Sequence, residues 1–224
     1  MVAQLDGPRL EPRSRTARQL VVFLHGYGAD GNDLIEIGRA WQQILPDAAF
    51  ASPHAPRPCG QAPTGREWFP LTFRDPNERW TGVNAAAPVL ESFLDAELKR
   101  HNLPASALAL VGFSQGTMMA LHVGLRRASA PAAIVGYSGL LVLPPDGEPD
   151  SVAADIRARP PVLLIHGDSD ELIPVQALFL ASQGLAALEV PVEWHISAGI
   201  GHGIDGEGLR HGGEFLARRF SIRA

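Results

Sequence analysis

The sequence predicts an α/β fold, a mostly parallel central sheet with helices on both faces. Three observations carry that reading. Short apolar runs alternate with stretches of helical periodicity, the pattern of strands joined by crossover helices. Several strand runs are apolar throughout, as in strands covered on both faces. The chemically suggestive segments, His25–Asp30, Ser114, His166–Asp170 and His202, each follow the C-terminal end of a predicted strand, where such sheets bind ligands. The chain of 224 residues reads as a single domain spanning 1–224, large enough to bury roughly 70–75% of its unfolded surface.

The elements follow in order. Residues 1–18 are polar and leave room for one short edge strand. Gln19 to Leu24 is a buried strand, and His25-Gly26-Tyr27-Gly28-Ala29-Asp30-Gly31 is a glycine-rich loop after it. A helix follows with Leu34, Ile37, Trp41 and Ile44 on one face; Asp30 or Asn32 is placed to cap it. Ala48 to Ala51 is a second short strand. Ser52 to Trp80 differs in kind, with six prolines and the exposed-looking apolar residues Trp68, Phe69, Leu71, Phe73 and Trp80. A structureless stretch of this length is functional or flexible, and residues 52–80 are expected to form a loop cover over the active site. An exposed apolar patch on such a cover is a route to a homodimer. Asn84 to Arg100 reads as a helix with Leu90, Phe93, Leu94 and Leu98 inward, and with Pro88 in its first turn or at a kink.

The apolar run Leu108 to Val111 then enters Gly112-Phe113-Ser114-Gln115-Gly116 and continues as a helix through Met118, Met119, Leu121 and Leu125. Ala132 to Tyr137 is the next strand, and Leu140 to Arg159 a second proline-bearing connection with a short helix around Val152 to Ile156. Pro161 to Ile165 is a strand, Pro174 to Leu188 a helix, and Val192 to Ser197 an alternating strand. Ala198 to Gly203 is a loop, and the last helix sets Leu209, Gly213, Leu216 and Phe220 on one face.

Composition narrows the function. The chain is 46% hydrophobic and 19% charged, as in a compact domain rather than a disordered or repeat chain. A net charge of −5 and the lack of a dense basic run argue against nucleic acid as a partner. The lone cysteine, Cys59, excludes an internal disulfide, which favours a reducing compartment. No apolar run approaches a transmembrane length, and the first residues lack the apolar core of a secretory signal. A cytoplasmic protein with no stable membrane insertion is the expectation.

A strand, a turn around one serine and a helix make the G-x-S-x-G elbow that presents a nucleophile. The flanking glycines are needed because the turn is tight. A serine hydroxyl needs a base, and the base needs a group to orient it. Of eight histidines, His202 alone lies in a glycine-rich loop between the last strand and last helix. His195 sits within a strand, His122 within the elbow helix, and His101 and His211 at helices. His25 and His166 end strands and are expected to organise loops. Asp168, Asp170 and Glu171 all follow one strand, so local sequence leaves the acid open. Asp168 is suited to bonding loop amides, and Asp170 to reaching the neighbouring loop. An oxyanion hole would take one N–H from Gln115 and one from the loop His25-Gly26-Tyr27-Gly28. No metal-site motif such as H-E-x-x-H occurs.

Leu24-His25-Gly26-Tyr27-Gly28, Gly112-Phe113-Ser114-Gln115-Gly116, His166-Gly167-Asp168-Ser169-Asp170 with Pro174, and Gly201-His202 together resemble the phospholipase/carboxylesterase family of α/β-hydrolases. That family includes bacterial carboxylesterases and acyl-protein thioesterases. The resemblance implies an α/β-hydrolase fold and a serine carboxylesterase acting on short-to-medium acyl esters. It implies Ser114 as nucleophile, Asp170 as acid, His202 as base, and the Tyr27 and Gln115 amides as the oxyanion hole. It also implies a substrate-lining role around Trp68, no metal or cofactor, and a small-molecule ester as partner. Tyr27 stands where the eukaryotic thioesterases carry leucine, which favours a bacterial esterase. The same machinery serves a thioesterase or lysophospholipase, and a non-catalytic binding module on the same fold is the rival of another class.

Overall fold

A computed structural model describes residues 4–221 apart from Phe73, Pro76 and Asp146. Seven strands form one sheet: β1 (Arg9–Leu10), β2 (Gln19–Leu24), β3 (Ala48–Ala51), β6 (Leu108–Phe113), β7 (Ala133–Tyr137), β8 (Val162–Gly167) and β9 (Val192–Ser197). Their spatial order is β1-β3-β2-β6-β7-β8-β9. Only β1 runs antiparallel, pairing Arg9 with Ala51, while the others are parallel. The remaining two, β4 (Arg57–Pro58) and β5 (Arg66–Glu67), make a separate antiparallel pair.

Alternate residues of the parallel strands face opposite helical layers. Leu20, Val22, Leu24, Leu108, Leu110 and Leu164 pack with α2 (Glu78–His101), α3 (Gln115–Gly124) and α4 (Gln176–Ala187). Val21, Phe23, Phe50, Val111, Val135 and Ile165 pack with α1 (Gly31–Trp41) and α5 (Gly206–Ser221). Five of the six β6 residues, Leu108 to Gly112, are buried, the reason that run carries no polar alternation.

The chain crosses from β2 outward to β3 on one side, and after β6 it builds outward on the other. The order therefore reverses between β2 and β6, which are adjacent and in register from Leu20↔Leu108 to Leu24↔Gly112. Such a reversal opens a crevice beyond the strand ends, where ligands bind. The Tyr27 loop leaves one of these strands there and Ser114 leaves the other.

Several expectations need correction. In α1 the buried face is Leu34, Ile35, Gly38 and Trp41; Ile37 is half-buried, and Ile44 lies past the helix and is exposed. Asp30 is the cap, its carboxylate accepting the Asn32 N–H at 2.7 Å. α2 begins at Glu78, six residues before the expected Asn84, so Pro88 lies well inside it. Gly82, inside α2, admits the Phe69 ring, which a Cβ would strike.

Ser52 to Trp80 is not structureless. It carries the β4–β5 pair and runs into α2. Its apolar side chains do not form an exposed patch: Trp68, Phe69 and Leu71 are buried, and Trp80 is half-buried. Phe73 lies outside the described residues. The exposed large apolar side chains are instead Ile44, Leu172, Phe179, Leu180 and Trp194. No helix among the described residues is long and apolar enough to cross a membrane.

Candidate active site

The β6–α3 turn is strained. Ser114 holds φ 53° and ψ −115°, a conformation that costs a residue with a Cβ about 1–3 kcal/mol. Its surroundings over-determine it. The Ser114 N–H donates to the Tyr137 carbonyl at 2.9 Å. The buried Thr117 hydroxyl reaches the Gly112 carbonyl at 2.8 Å and the Tyr137 carbonyl at 2.9 Å. A Cβ on Gly116 would collide with the Leu24 carbonyl, and one on Gly112 with the Gly116 carbonyl. Glycine is thus required on both sides of Ser114 by backbone contact.

The loop after β2 lies against this turn. A Cβ on Gly26 would stand 3.0 Å from Phe113 Cδ1 and 3.3 Å from Ser114 Cβ. Gly28, at φ 81°, donates its N–H to the Arg66 carbonyl at 2.9 Å. Among the described residues no hydrogen bond takes the Tyr27 N–H. Gln115 N–H is the first of α3, one of the helix donors that no helical carbonyl accepts.

On the other side, Asp170 follows β8 with its carboxylate fully shielded. Oδ1 accepts the Leu172 and Ile173 N–H groups, both at 2.9 Å. Oδ2 stands 2.7 Å from His202 Nδ1 and 3.2 Å from His166 Nε2. Burial alone would raise the Asp170 carboxyl. The Ile173 N–H, the His202 ring and the Leu172 N–H outweigh it and hold it below its ordinary 3.8. A carboxylate accepts only, so His202 Nδ1 carries the proton of that bond and leaves Nε2 as the basic nitrogen. The His202 ring packs on Phe113, the residue before Ser114, with centroids 5.0 Å apart. Asp168 instead binds the Gly199 N–H at 2.7 Å and the Ser169 hydroxyl at 2.9 Å, tying down the loop that carries His202.

His25 and His166 organise loops, as their positions suggested. His25 Nδ1 contacts the Gly26 carbonyl at 2.8 Å, and Nε2 accepts the Ala55 N–H at 2.9 Å. One nitrogen donates and one accepts, so the ring is neutral. Burial pushes it down to about 4, against partial support from the Gly26 carbonyl. His166 Nε2 donates to the Ile173 carbonyl at 2.7 Å.

The part missed in the sequence is the Gln115 side chain. Fully buried, it accepts the Trp68 N–H at Oε1 (2.9 Å) and donates Nε2 to the Phe69 carbonyl (2.8 Å). The Trp68 indole donates to the His25 carbonyl at 3.0 Å. Trp68 thus bridges the elbow and the Tyr27 loop. Its far side, with Phe69, Pro70, Gly82 and Val89, lines a cavity of about 580 Å³, which neither Ser114 nor His202 lines. The only sequence signal was the exceptional polarity of Gln115 between a buried strand and an apolar helix.

Fold and geometry together define a hydrolase of the α/β type. The family model described as phospholipase/carboxylesterase matches residues 5–219, and the chain belongs to that family. It is 29% identical to the esterase YpfH of Escherichia coli over 88% of this chain and 81% of that one. It is 26% identical to acyl-protein thioesterase 1 of Gibberella zeae over 95% of each. The crystal structure of esterase PE8 superposes with a TM-score of 0.91 at 43% identity, covering 96% of this chain and 99% of the other. The protein is a carboxylic ester hydrolase of the carboxylesterase and acyl-protein thioesterase type.

Two predictions follow from the packing. Gln115→Ala strands the buried Trp68 N–H and Phe69 carbonyl and is expected to cost about 3 kcal/mol, read as a lower urea midpoint with tryptophan fluorescence changing in step; an unmoved midpoint would contradict it. Acid is expected to weaken the fold through two buried histidines. His25 is held down to about 4, and His122 to about 3 by burial first and Arg126 second, against 6.5 when unfolded. Both contributions are complete above pH 6.5. Stability then declines as pH falls from 6.5 to about 4 for His25 and about 3 for His122. Denaturant curves at pH 7, 5.5 and 4.5 measure it.

Proposed function

We propose that this chain is a serine carboxylesterase acting through an acyl-enzyme intermediate on short-to-medium acyl esters. The observation that carries the reading is the 2.7 Å bond from His202 Nδ1 to the shielded Asp170 carboxylate. It leaves Nε2 basic on a ring that packs against Phe113, the residue before the strained serine.

In this reading Ser114 Oγ attacks the ester carbonyl carbon while His202 Nε2 takes its proton. Asp170 keeps the ring oriented and stabilises the imidazolium. The carbonyl oxygen becomes an oxyanion held by the Tyr27 and Gln115 N–H groups; losing one such donor costs about 10²–10³ in rate. The positive end of α3 adds to that stabilisation. Collapse breaks the bond to the leaving oxygen, which takes the proton from His202. Water, deprotonated by His202, then attacks the acyl-enzyme and releases the acid. No step calls on a metal or cofactor. Residues 52–80 serve as the cover over this site, and Trp68 acts from within it, as a wall of the 580 Å³ cavity and as the anchor on the His25 carbonyl. The chain is further proposed to work in the cytoplasm, and a homodimer is compatible with its exposed Leu172 and Leu180.

Ser114→Ala is expected to lose nearly all turnover of a p-nitrophenyl ester while keeping its circular dichroism and urea midpoint. A fluorophosphonate probe should label the folded protein at Ser114 alone by peptide mapping. An unlabelled Ser114 would instead favour a binding module. Rates over esters and thioesters of graded chain length are expected to favour esters of short-to-medium acyl chain. A preference for long-chain thioesters would move the assignment to the thioesterase branch.

A further inference from the structure

We infer that the seam between β9 and α5 holds a divalent transition-metal site made by His195, Glu207 and His211. The three lie on two elements, so no contiguous motif announces them. On each residue one donor atom, an imidazole nitrogen or a carboxylate oxygen, lies within 4.8 Å of those on the other two. Glu207 and His211 are one helical turn apart and share a face of α5; His211 Nε2 is 3.6 Å from Glu207 Oε1. The His195 and His211 rings have centroids 4.2 Å apart. The second observation is independent of this proximity. His195 Nε2 is shielded from solvent and has no hydrogen-bond partner among the described residues. A buried nitrogen without a partner is a rare feature that needs explanation, and a metal ion at that seam supplies one.

The donor set selects the ion class. Two neutral imidazoles and a carboxylate suit zinc or a neighbouring divalent metal, whereas calcium and magnesium prefer all-oxygen shells. Tetrahedral ligation at 2.0–2.1 Å sets donors roughly 3.4 Å apart. Glu207 and His211 have side chains 58% and 33% exposed, so small rotamer changes on the helix surface close the remaining distance to the strand-held His195. Three protein ligands leave one position for water.

One cation competes. Arg210 Nη2 stands 3.3 Å from His211 Nε2 and 3.8 Å from Glu207 Oε1. The same guanidinium reaches both Glu214 oxygens at 3.0 Å through Nη1, an alternative that frees the cluster.

The position gives the site a consequence. His195 lies near the end of β9, and Glu207 opens α5; between them runs the connection that carries His202. The existing tie across its base is the Ser197 hydroxyl on Asp205, 2.7 Å. An ion at the seam would add a second tie and stiffen that connection. The effect on turnover rests on the role proposed for His202; ion binding does not.

Titration of chelator-treated full-length protein with zinc, followed by calorimetry and thermal unfolding, tests the site. One zinc per chain is expected, with Tm rising by about 5 °C at saturation. His211→Ala is expected to weaken binding about tenfold or more, with hydrolysis by the metal-free variant unchanged. Arg210→Gln, which removes the competing cation, is expected to tighten it several-fold. His202→Ala should bind zinc like the parent chain. The proposal is overturned by no uptake at millimolar zinc, by wild-type affinity in His211→Ala, or by loss of binding in His202→Ala, which would put the ion at the Asp170–His202 pair.

Discussion

Three stretches of backbone meet at one point in this molecule: the end of β2, the turn at Ser114 and the start of α3. The Leu24 carbonyl sits where a side chain on Gly116 would be, and the Gly116 carbonyl where one on Gly112 would be. Contact this close forces Ser114 into left-handed φ, and the strain is offset by the N–H bond to Tyr137 and by the Thr117 hydroxyl beneath. Because the turn cannot relax, the first N–H of α3 and the loop after β2 are fixed relative to each other. That is the preorganisation an oxyanion site requires, since donors that must rearrange lose much of their worth.

Around this point the polar side chains divide by protonation and partner. His25 bridges a carbonyl and an N–H and stays neutral. His166 braces the turn after β8 through the Ile173 carbonyl. His202 Nδ1 is held by Asp170, which leaves its Nε2 as the basic nitrogen. The two aspartates after β8 divide similarly. Asp168 holds loop backbone at Gly199, and Asp170, two residues on, turns inward to His202. Both Asp170 oxygens are engaged in the buried site, so it stays ionised at a depth that would otherwise favour the neutral form.

Most of the sheet was legible because buried parallel strands carry an unmistakable run of apolar residues. Gln19–Leu24, Ala48–Ala51 and Val192–Ser197 have the expected bounds, and β6 runs two residues past its apolar run. Helix starts were harder. Glu78 to Val83 has little apolar periodicity, and its glycine, Gly82, is explained only by the Phe69 ring packed against it. On α1, Ile35 rather than Ile44 is buried, since the helix ends at Trp41 and the chain turns away. Local sequence left Asp168 and Asp170 open because both follow the same strand; only the fold shows which side chain faces the neighbouring loop. The His195–Glu207–His211 cluster was invisible for the same reason, its members meeting across a strand–helix seam.

The proline-rich stretch illustrates how a segment without periodicity becomes ordered. Its backbone groups cannot pair within a helix or a large sheet, so they pair with side chains and loops of the domain. Ala55 uses His25, Arg66 uses Ala29, and Trp68 and Phe69 use Gln115. Gln115 consequently has two attachments: its N–H lies at the elbow, and its amide grips the segment. Trp68 repeats the arrangement, with its backbone on Gln115 and its indole on the carbonyl of His25, two residues before Tyr27. Both residues whose N–H groups are proposed to hold the oxyanion are therefore connected to the segment that walls the 580 Å³ cavity. Trp68 is thus the residue at which the cavity wall, the elbow and the loop after β2 meet.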